Sequence, residues 1–235
     1  MFAFLLEWWM THLKISKEEL ARMIDSTNVK ATATKEEIER LCKEAIKYGF
    51  QCAVVNPFYV RFAAKMLKGS DVKVCSTVGF PFGVSLPEIK ALEAVKAVED
   101  GAEELDMVIN LSALKSGDYD FVKQDIRAVL DAKRLSNEII VKVIIETAYL
   151  TRDEKITACK IVKEAGADFV KTSTGLFGKG ATIEDVRLMR QTVGKDMGVK
   201  AAGGIRTYAD AIAFIKAGAN RIGTSTATTI MEGAP

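Results

Sequence analysis

Two patterns of apolar and polar positions alternate along the chain. Stretches with apolar residues three or four positions apart, as in amphipathic helices, separate short runs rich in β-branched residues. Several runs are apolar on both faces, as parallel strands beneath helices are. The eight runs, each predicted to be a strand, are MIDSTNV (23–29), CAVVNP (52–57), VKVCSTVGFP (72–81), ELDMVIN (104–110), IIVKVIIET (139–147), DFVKTSTG (168–175), GVKAAGG (198–204) and NRIGTST (220–226).

The order of these elements predicts a fold. Thr34 with Glu37, and Thr151 with Glu154, have the spacing of a capping box at a helix start. Eight strand–helix units in 235 residues, with no Pro/Ser-rich linker, favour a single-domain α/β protein. We predict a closed (β/α)8 TIM barrel rather than an open doubly wound sheet. Only nine residues follow the eighth run, so the last helix is short or missing.

The first residues, MFAFLLEWWM, are strongly apolar and lie outside the repeating pattern. They lack a basic start, contain Glu7 and are too short to cross a bilayer, which argues against a signal peptide and a membrane helix. We expect an extra N-terminal helix that packs on the barrel or at a subunit interface; an added or engineered segment is the alternative. The expected division is an extension at 1–14 and a barrel domain at 15–235.

Composition limits the classes of partner and the kinds of chemistry that fit the chain. Apolar residues form 49% of the chain, and charged residues form 27% with a net charge of +2, which argues against nucleic acid or membrane as a partner. Cys42, Cys52, Cys75 and Cys159 form no CxxC pair and are expected to be buried thiols in a reducing cytoplasm. His12 is the only histidine, so no metal site or other cofactor is expected.

Charged residues inside the apolar strands are the candidates for chemistry. Reactive side chains of a barrel lie near the C-terminal ends of its strands, and buried charges are costly unless they are paired. Six such residues in one barrel predict a polar cluster, although each alone fits an ordinary ion pair. They are Asp25, Asp106, Lys142, Glu146, Lys171 and Lys200.

Two neighbouring lysines have a known chemical use. The field of one ammonium group lowers the pKa of the other, so that a neutral amine attacks a carbonyl carbon at neutral pH. The resulting imine is an electron sink, which lets an adjacent carbon–carbon bond break or form. A carboxylate such as Asp106 then moves protons, directly or through water.

The glycines after the last two predicted strands indicate a phosphate site. Barrels commonly hold a phosphate in the loops after strands seven and eight, through backbone N–H groups. The residues in this position are Gly203, Gly204, Gly223, Ser225 and Thr226.

Five motifs in series resemble one enzyme family. "ELDMVIN", "VKVIIET", "FVKTSTG", "GVKAAGGIRT" and "RIGTS" occur in the order found in deoxyribose-phosphate aldolases, and the likeness covers about residues 15–233. The resemblance implies a class I aldolase, a carbon–carbon lyase. Its substrates would be a small aldehyde and a sugar phosphate, through reversible cleavage of 2-deoxy-D-ribose 5-phosphate to acetaldehyde and D-glyceraldehyde 3-phosphate. Family members are commonly dimers or larger, so a homo-oligomer is expected.

The resemblance also implies roles for particular residues. Lys171 would form the Schiff base, Lys200 would perturb its pKa, and Asp106 would take part in proton transfer. Lys142 would lie nearby in the polar network. The remaining positions that the motifs match are Asp25 and Thr27 at the substrate site, and Gly175, Gly203, Gly204, Gly223 and Ser225 at the phosphate.

Several positions depart from the family's usual motifs, and they cluster at the predicted barrel mouth. The chain also lacks the C-terminal tyrosine that assists proton transfer in some members. We therefore expect intact lysine chemistry with weakened or reshaped phosphate recognition. The alternative activity is aldol chemistry on non-phosphorylated or apolar aldehydes. The departures are Ser26 for His, Val54 for Cys, Leu176, Phe177 and Lys179 in the loop after Lys171, and Ala227 for Gly.

Two further functions fit parts of the sequence. A barrel used as an assembling scaffold would explain Trp8 and Trp9 in the apolar segment. A flavin-binding or phosphoribosyl-binding barrel would use the same glycines, but it leaves the lysines within the strands unexplained.

Overall fold

Eight parallel strands close into a barrel in chain order. The computed structural model describes residues 15–235, and within them each strand pairs with the next while β8 pairs with β1. The predicted (β/α)8 barrel is therefore confirmed. The strands are β1 (Ile24–Asn28), β2 (Cys52–Val55), β3 (Lys73–Val78), β4 (Glu104–Val108), β5 (Ile140–Ile144), β6 (Phe169–Lys171), β7 (Gly198–Ala202) and β8 (Arg221–Thr224).

Helices connect successive strands around the outside of the barrel. The capping boxes predicted at Thr34 and Thr151 are both formed, and α10, after β8, has only six residues, as expected. Short 3₁₀ turns cover Pro57–Tyr59, Asp131–Arg134 and Thr147–Tyr149. The α-helices are α1 (Lys17–Ala21), α2 (Lys35–Tyr48), α3 (Val60–Leu67), α4 (Pro87–Glu99), α5 (Leu111–Lys115), α6 (Tyr119–Leu130), α7 (Arg152–Ala165), α8 (Ile183–Val193), α9 (Tyr208–Lys216) and α10 (Ala227–Glu232).

Alternation along the strands separates an apolar layer from a charged barrel interior. On β4, Leu105 and Met107 belong to the main apolar core between strands and helices. Glu104 and Asp106 lie on the opposite face of the same strand, because successive side chains point to opposite sides. The large apolar layer supports the fold, and the interior is left for polar side chains.

Strand register brings the interior charges to similar heights. Asp106 pairs with Lys142 across β4 and β5, Lys171 pairs with Lys200 across β6 and β7, and Lys200 pairs with Arg221 across β7 and β8. The closed barrel then places residues from opposite walls within reach of each other.

The apolar extension at 1–14, with the helix predicted there and His12, lies outside the described residues. The short helix α1 precedes β1 within the described chain. Among residues 15–235, no helix has the length and apolar character needed to cross a membrane.

Candidate active site

Asp106 is the centre of a buried group of charges. Its Oδ2 accepts hydrogen bonds from Lys171 Nζ at 2.6 Å and from Lys200 Nζ at 2.7 Å. Its Oδ1 accepts one from Lys142 Nζ at 2.8 Å. Lys171 is 4% exposed and the other three residues are fully buried. Three strands thus deliver ammonium groups to one carboxylate.

Two carboxylates and a guanidinium group extend this arrangement deeper into the barrel. Asp25 lies 2.6 Å from both Lys200 Nζ and Arg221 Nη1. Glu104 lies 2.5 Å from Lys142 Nζ and 3.2 Å from Arg221 Nη1. We call the seven residues the charge cluster: Asp25, Glu104, Asp106, Lys142, Lys171, Lys200 and Arg221.

Glu104 and Arg221 were not among the residues singled out from the sequence. Side chains two positions apart on a strand point to the same side, and this spacing offered a signal for both residues. Glu104 stands two positions before Asp106, and Arg221 stands two positions before Gly223. The contact between Glu104 and Arg221 crosses the barrel from β4 to β8. No local pattern predicts such a contact.

The cluster shifts the pKa values of its own members. Burial alone would raise the pKa of Asp106, but the ammonium groups of Lys142, Lys171 and Lys200 hold it well below its ordinary value. Burial alone would lower the pKa of Lys200, but Asp106 and Asp25 raise it. The same competition raises the pKa of Lys142. The two inner lysines are therefore held as cations and Asp106 as an anion.

Lys171 is the exception, because its pKa is lowered. Burial is the largest cause, and the nearby Lys200 adds to it, whereas Asp106 opposes both. The sequence analysis predicted that a second cation lowers the lysine pKa; Lys200 contributes in this way, and burial, which the sequence analysis did not invoke, is the larger cause. Lys171 and Lys200 do lie together, since both donate to the same oxygen of Asp106.

Glu146 lies apart from the charge cluster, although the sequence analysis grouped it with the strand charges. Its Oε2 accepts hydrogen bonds from the backbone N–H of Thr174 at 3.0 Å and from Thr174 Oγ1 at 2.5 Å. It forms no ion pair with a described cation, and burial raises its pKa. Its backbone has a positive φ of 49°, at the point where β5 leads into the loop above the barrel.

All four cysteines are buried free thiols, as predicted. Burial raises the pKa of Cys42 to about 11 and that of Cys159 to about 12. Cys75 contacts the charge cluster, since its Sγ lies 3.3 Å from Asp106 Oδ1, and Cys52 Sγ lies 3.5 Å from Arg221. Burial also raises the pKa of these two thiols, so they are neutral neighbours of the cluster.

Asp25, Cys52 and Glu104 are close enough to share a metal ion. Arg221 Nη1 lies among them, at 2.6 Å from Asp25, 3.5 Å from Cys52 and 3.2 Å from Glu104. A guanidinium group keeps its charge in proteins. It therefore takes the place that a metal cation would need.

A cavity of about 350 Å³ opens above the charge cluster at the C-terminal ends of the strands. Lys171 is the one cluster member that lines it, and Thr27 lines it from β1. Asp25, Asp106 and Lys200 lie beneath this surface. The amine of Lys171 is therefore the cluster group that a ligand in the cavity would meet.

Five of the six residues predicted to bind phosphate line this cavity. Thr226 does not line it; its Oγ1 lies 3.2 Å from Oγ1 of the lining residue Thr224, and its role at the phosphate stays a prediction. In the described chain, the backbone N–H groups of Gly203, Gly204 and Ser225 donate to no protein acceptor. The five lining residues are Gly175, Gly203, Gly204, Gly223 and Ser225.

Gly203 brings two of the mouth loops together. A Cβ at this position would lie 2.9 Å from the Cα of Gly180, and its φ of +93° is one that side chains disfavour. The backbone oxygen of Gly203 accepts a hydrogen bond from Ala181 N–H at 3.1 Å. The loop after β6 is thereby held against the loop after β7.

Three cations on the cavity wall were missed by the sequence analysis. Lys30, Arg40 and Arg206 line the cavity, and none forms an ion pair with a described carboxylate. Lys30 follows β1, Arg40 projects from α2 and Arg206 follows β7. Two carboxylates, Glu37 and Glu44, also line the cavity, so these three cations leave the wall with a small positive excess that suits an anionic ligand.

The departures from the usual motifs occupy different places. Leu176 lines the cavity, whereas Phe177 packs against Phe82 and Tyr149, with ring centroids 5.4 and 6.2 Å apart. Ala227 is the first residue of α10 and has helical geometry. Because helical geometry suits alanine better than glycine, position 227 does not require a glycine here.

A closed barrel with a low-pKa lysine at the base of a mouth cavity defines a class of enzymes that form imines with carbonyl substrates. The comparisons with known proteins narrow this class. Residues 18–231 match the family model described as "DeoC/LacD family aldolase", so the chain belongs to this family. Aldolases are carbon–carbon lyases, and the predicted enzyme class is confirmed.

Individual relatives agree with the family. A deoxyribose-phosphate aldolase of Methanothermobacter thermautotrophicus is 61% identical over 219 residues, which are 93% of this chain and 96% of that protein. The tetrameric deoxyribose phosphate aldolase of Aeropyrum pernix is 38% identical with a TM-score of 0.88, covering 97% and 95% of the two chains. A putative deoxyribose-phosphate aldolase of Coccidioides immitis is 40% identical with a TM-score of 0.88, covering 98% and 95%.

These relatives do not favour the alternative functions. Their names describe neither a scaffold nor a flavin-binding barrel, and none points to apolar aldehydes. The resemblance stated from the motifs is confirmed at the level of the family.

Proposed function

We propose that this protein catalyses the reversible aldol cleavage of 2-deoxy-D-ribose 5-phosphate, with Lys171 as the Schiff-base amine. The observation that carries the proposal is the position of Lys171, whose lowered pKa places a readily deprotonated amine at the base of the cavity. The names of the close relatives support the substrate.

The reaction follows from a neutral amine. Lys171 Nζ attacks the aldehyde carbon of the open-chain sugar, and loss of water from the carbinolamine leaves a protonated imine. A base removes the proton of the C3 hydroxyl group, the C2–C3 bond breaks, and its electrons form an enamine. Glyceraldehyde 3-phosphate leaves. Protonation of the enamine at C2 and hydrolysis of the imine release acetaldehyde and the free amine.

The residues beneath Lys171 take supporting roles in this proposal. Asp106 Oδ2 contacts both Lys171 and Lys200, so it offers a path for the proton that leaves Lys171. Lys200 stays charged and disfavours a second positive charge on Lys171. Lys142 holds the other oxygen of Asp106, which fixes the carboxylate's orientation.

We propose that the phosphate binds in the cavity among the loops after β6, β7 and β8. The unpaired backbone N–H groups of Gly203, Gly204 and Ser225 are donors suited to phosphate oxygens. Thr27 lines the cavity from β1, and its Oγ1 donates to the backbone oxygen of Asp25, whose carboxylate belongs to the charge cluster beneath. Lys30, Arg40 and Arg206 add positive charge to the wall.

Borohydride trapping tests the role of Lys171. Incubation with acetaldehyde and borohydride should fix a two-carbon adduct on Lys171, identified by peptide mass spectrometry. Lys171→Ala should lose the adduct and the activity, whereas Lys43→Ala, at an exposed ion pair on α2, should keep both. An adduct on another residue, or undiminished turnover by Lys171→Ala, would contradict the proposal.

Kinetics on deoxyribose with and without the 5-phosphate test the phosphate site. The unpaired N–H groups and wall cations lead us to expect a kcat/KM for the phosphorylated sugar at least tenfold higher, equal to about 1.4 kcal/mol. Equal values for the two sugars would instead support the weakened phosphate recognition expected from Leu176 and Phe177.

We also propose that the chain forms a homo-oligomer, as the Aeropyrum pernix relative does. An exposed apolar patch supports this: Phe82, Val84, Leu86, Ile89 and Leu92, on α4 and the loop before it. Monomeric proteins rarely expose large contiguous apolar surfaces.

Two expectations about the chain as a whole are kept as proposals. We propose that residues 1–14 are an extension outside the barrel domain at 15–235, so their deletion should leave kcat unchanged. A cytoplasmic location suits four free thiols, because oxidising compartments favour disulfides.

A further inference from the structure

The charge cluster holds one more cation than anions. Its cations are Lys142, Lys171, Lys200 and Arg221, and its anions are Asp25, Glu104 and Asp106. Each member is at most 8% exposed, so solvent does little to screen the imbalance. The contacts form one connected set, from Lys171 through Asp106 and Lys200 to Asp25 and Arg221.

An excess buried charge is relieved when one group gives up its proton. Arg221 cannot be that group, because guanidinium stays protonated in proteins. Lys142 contacts Glu104 and Asp106, and Lys200 contacts Asp25 and Asp106. Lys171 contacts Asp106 alone, through an oxygen that it shares with Lys200. Lys171 therefore loses the least when it becomes neutral.

We infer that Arg221 is a positioning residue that favours the neutral form of Lys171 by neutralising the carboxylates deeper in the barrel. Arg221 lies 2.6 Å from Asp25 and 3.2 Å from Glu104, and it does not line the cavity. Without Arg221, three lysines would face three carboxylates, and Lys171 would hold its proton more tightly. The inference rests on the proposed role of Lys171 as the reacting amine.

Every neighbouring element contributes to the surroundings of Lys171. Asp106 faces it from β4, Lys142 from β5 and Lys200 from β7. These three residues are already included among the cations and anions of the charge cluster. Cys75 on β3 is a neutral thiol, because burial raises its pKa. Glu146, after β5, interacts with Lys171 through its charge, but it makes no ion pair with a described cation and is held by Thr174 outside the cluster.

The pH dependence of amine reactivity tests the inference. Trace acetylation of Lys171 by acetic anhydride, measured against a reference amine across pH, reports its pKa without aldolase turnover. Arg221→Met should raise that pKa by at least one unit, which is tenfold less neutral amine at a given pH below it. The acidic limb of kcat/KM should move by the same amount, and activity should recover at higher pH. Arg221→Lys keeps the charge and should move neither.

A second substitution separates charge balance from structure. In Arg221→Met/Glu104→Gln, three lysines face two carboxylates. The charge cluster then again holds one more cation than anions, so the pKa of Lys171 should fall again. Glu104→Gln alone should lower it below the wild-type value. A merely structural role predicts that the double variant is worse than either single variant.

The control removes a buried ion pair outside the strand cylinder. Lys90→Met/Asp125→Leu takes away a fully buried pair between α4 and α6 and should leave the pKa of Lys171 unchanged.

An unchanged Lys171 pKa in Arg221→Met would overturn the inference, and so would a Lys171 pKa that does not fall again in Arg221→Met/Glu104→Gln. If Arg221→Met does not fold, Arg221→Lys and Glu104→Gln decide it by the same measurement. If the wild-type protein has a lowered Lys171 pKa but no aldolase activity, the proposed function is contradicted and the inference about Arg221 is not.

Discussion

At the residue scale, one carboxylate organises the reactive amine. Asp106 receives ammonium groups from three strands through its two oxygens, and a fourth neighbour, Cys75, lies 3.3 Å from Oδ1. Lys171 is close to Asp106 and yet has a lowered pKa, because burial and Lys200 outweigh that attraction. The sequence singled out Asp106 and the three lysines as charges within apolar strands. It could not identify burial as the main cause, since burial depends on the closed barrel.

Asp106→Asn should destabilise the protein strongly. The amide keeps the shape of the carboxylate but leaves the buried ammonium groups without their shared anion, which typically costs about 3–5 kcal/mol. Guanidinium unfolding measures the loss of free energy. Asp71→Asn, at an exposed ion pair with Arg22, is the control and should unfold like the wild type. A small loss in Asp106→Asn would mean that the lysines deprotonate readily in the folded state.

Activity and stability should respond to acid in separate steps. The neutral fraction of Lys171 falls as the pH drops through its lowered pKa, so kcat/KM falls first. Asp25 and Asp106 have lowered pKa values, so their stabilisation is complete above the ordinary carboxyl range. It is lost as the pH falls below about 4. Kinetics and circular dichroism across pH should show an inactive, folded range. Simultaneous loss of both would contradict this order.

At the element scale, the helices are positioned by apolar packing and by one buried ion pair. Lys90 on α4 donates to Asp125 on α6 at 2.6 Å and to the backbone oxygen of Val108 at 2.8 Å. Asp125 also accepts from the backbone N–H of Asn110. The pair therefore connects two helices to the end of β4. The alternation of strands and helices predicts a helix before and after β4, but it gives no reason to place a lysine on the inner face of α4.

Lys90→Met should cost more stability than the double variant Lys90→Met/Asp125→Leu. The single change leaves Asp125 buried without its cation, for a loss of about 3 kcal/mol or more. Burial already raises the pKa of Asp125, so its protonation limits the loss. The double change removes both charges and should recover most of the free energy of unfolding. A double-mutant cycle by urea denaturation measures the coupling, and additive losses would argue against it.

At the scale of the whole molecule, the mouth and the exposed apolar patch lie side by side. Phe82 belongs to the patch and also packs against Phe177, in the loop after β6. An assembly through α4 would therefore cover a surface that adjoins the cavity mouth. The sequence analysis gave a subunit interface as one of two expected places for the apolar extension at 1–14, and the patch on α4 is a second candidate surface that it did not predict.

Ile89→Lys/Leu92→Lys should reduce the size of the assembly. Two charges on the patch oppose burial against a copy of the same surface, because specific interfaces bury about 800 Å² per partner with few charges at their centre. Light scattering after size exclusion measures the mass. Leu135→Lys, at an exposed leucine distant from α4 in sequence, is the control. An unchanged mass in the double variant would place the interface elsewhere.

The sequence by itself determined the eight strand–helix units, the capped helix starts at Thr34 and Thr151, and which lysines and aspartates lie within strands. These features depend on periodicity and residue type, which are local. The tertiary structure decided that Glu104 and Arg221 meet across the barrel, that the hydroxyl groups of Thr224 and Thr226 meet and that position 227 is helical. Such contacts depend on strand register and on the closure of the barrel. Both join residues that are far apart along the chain, so no local pattern encodes them.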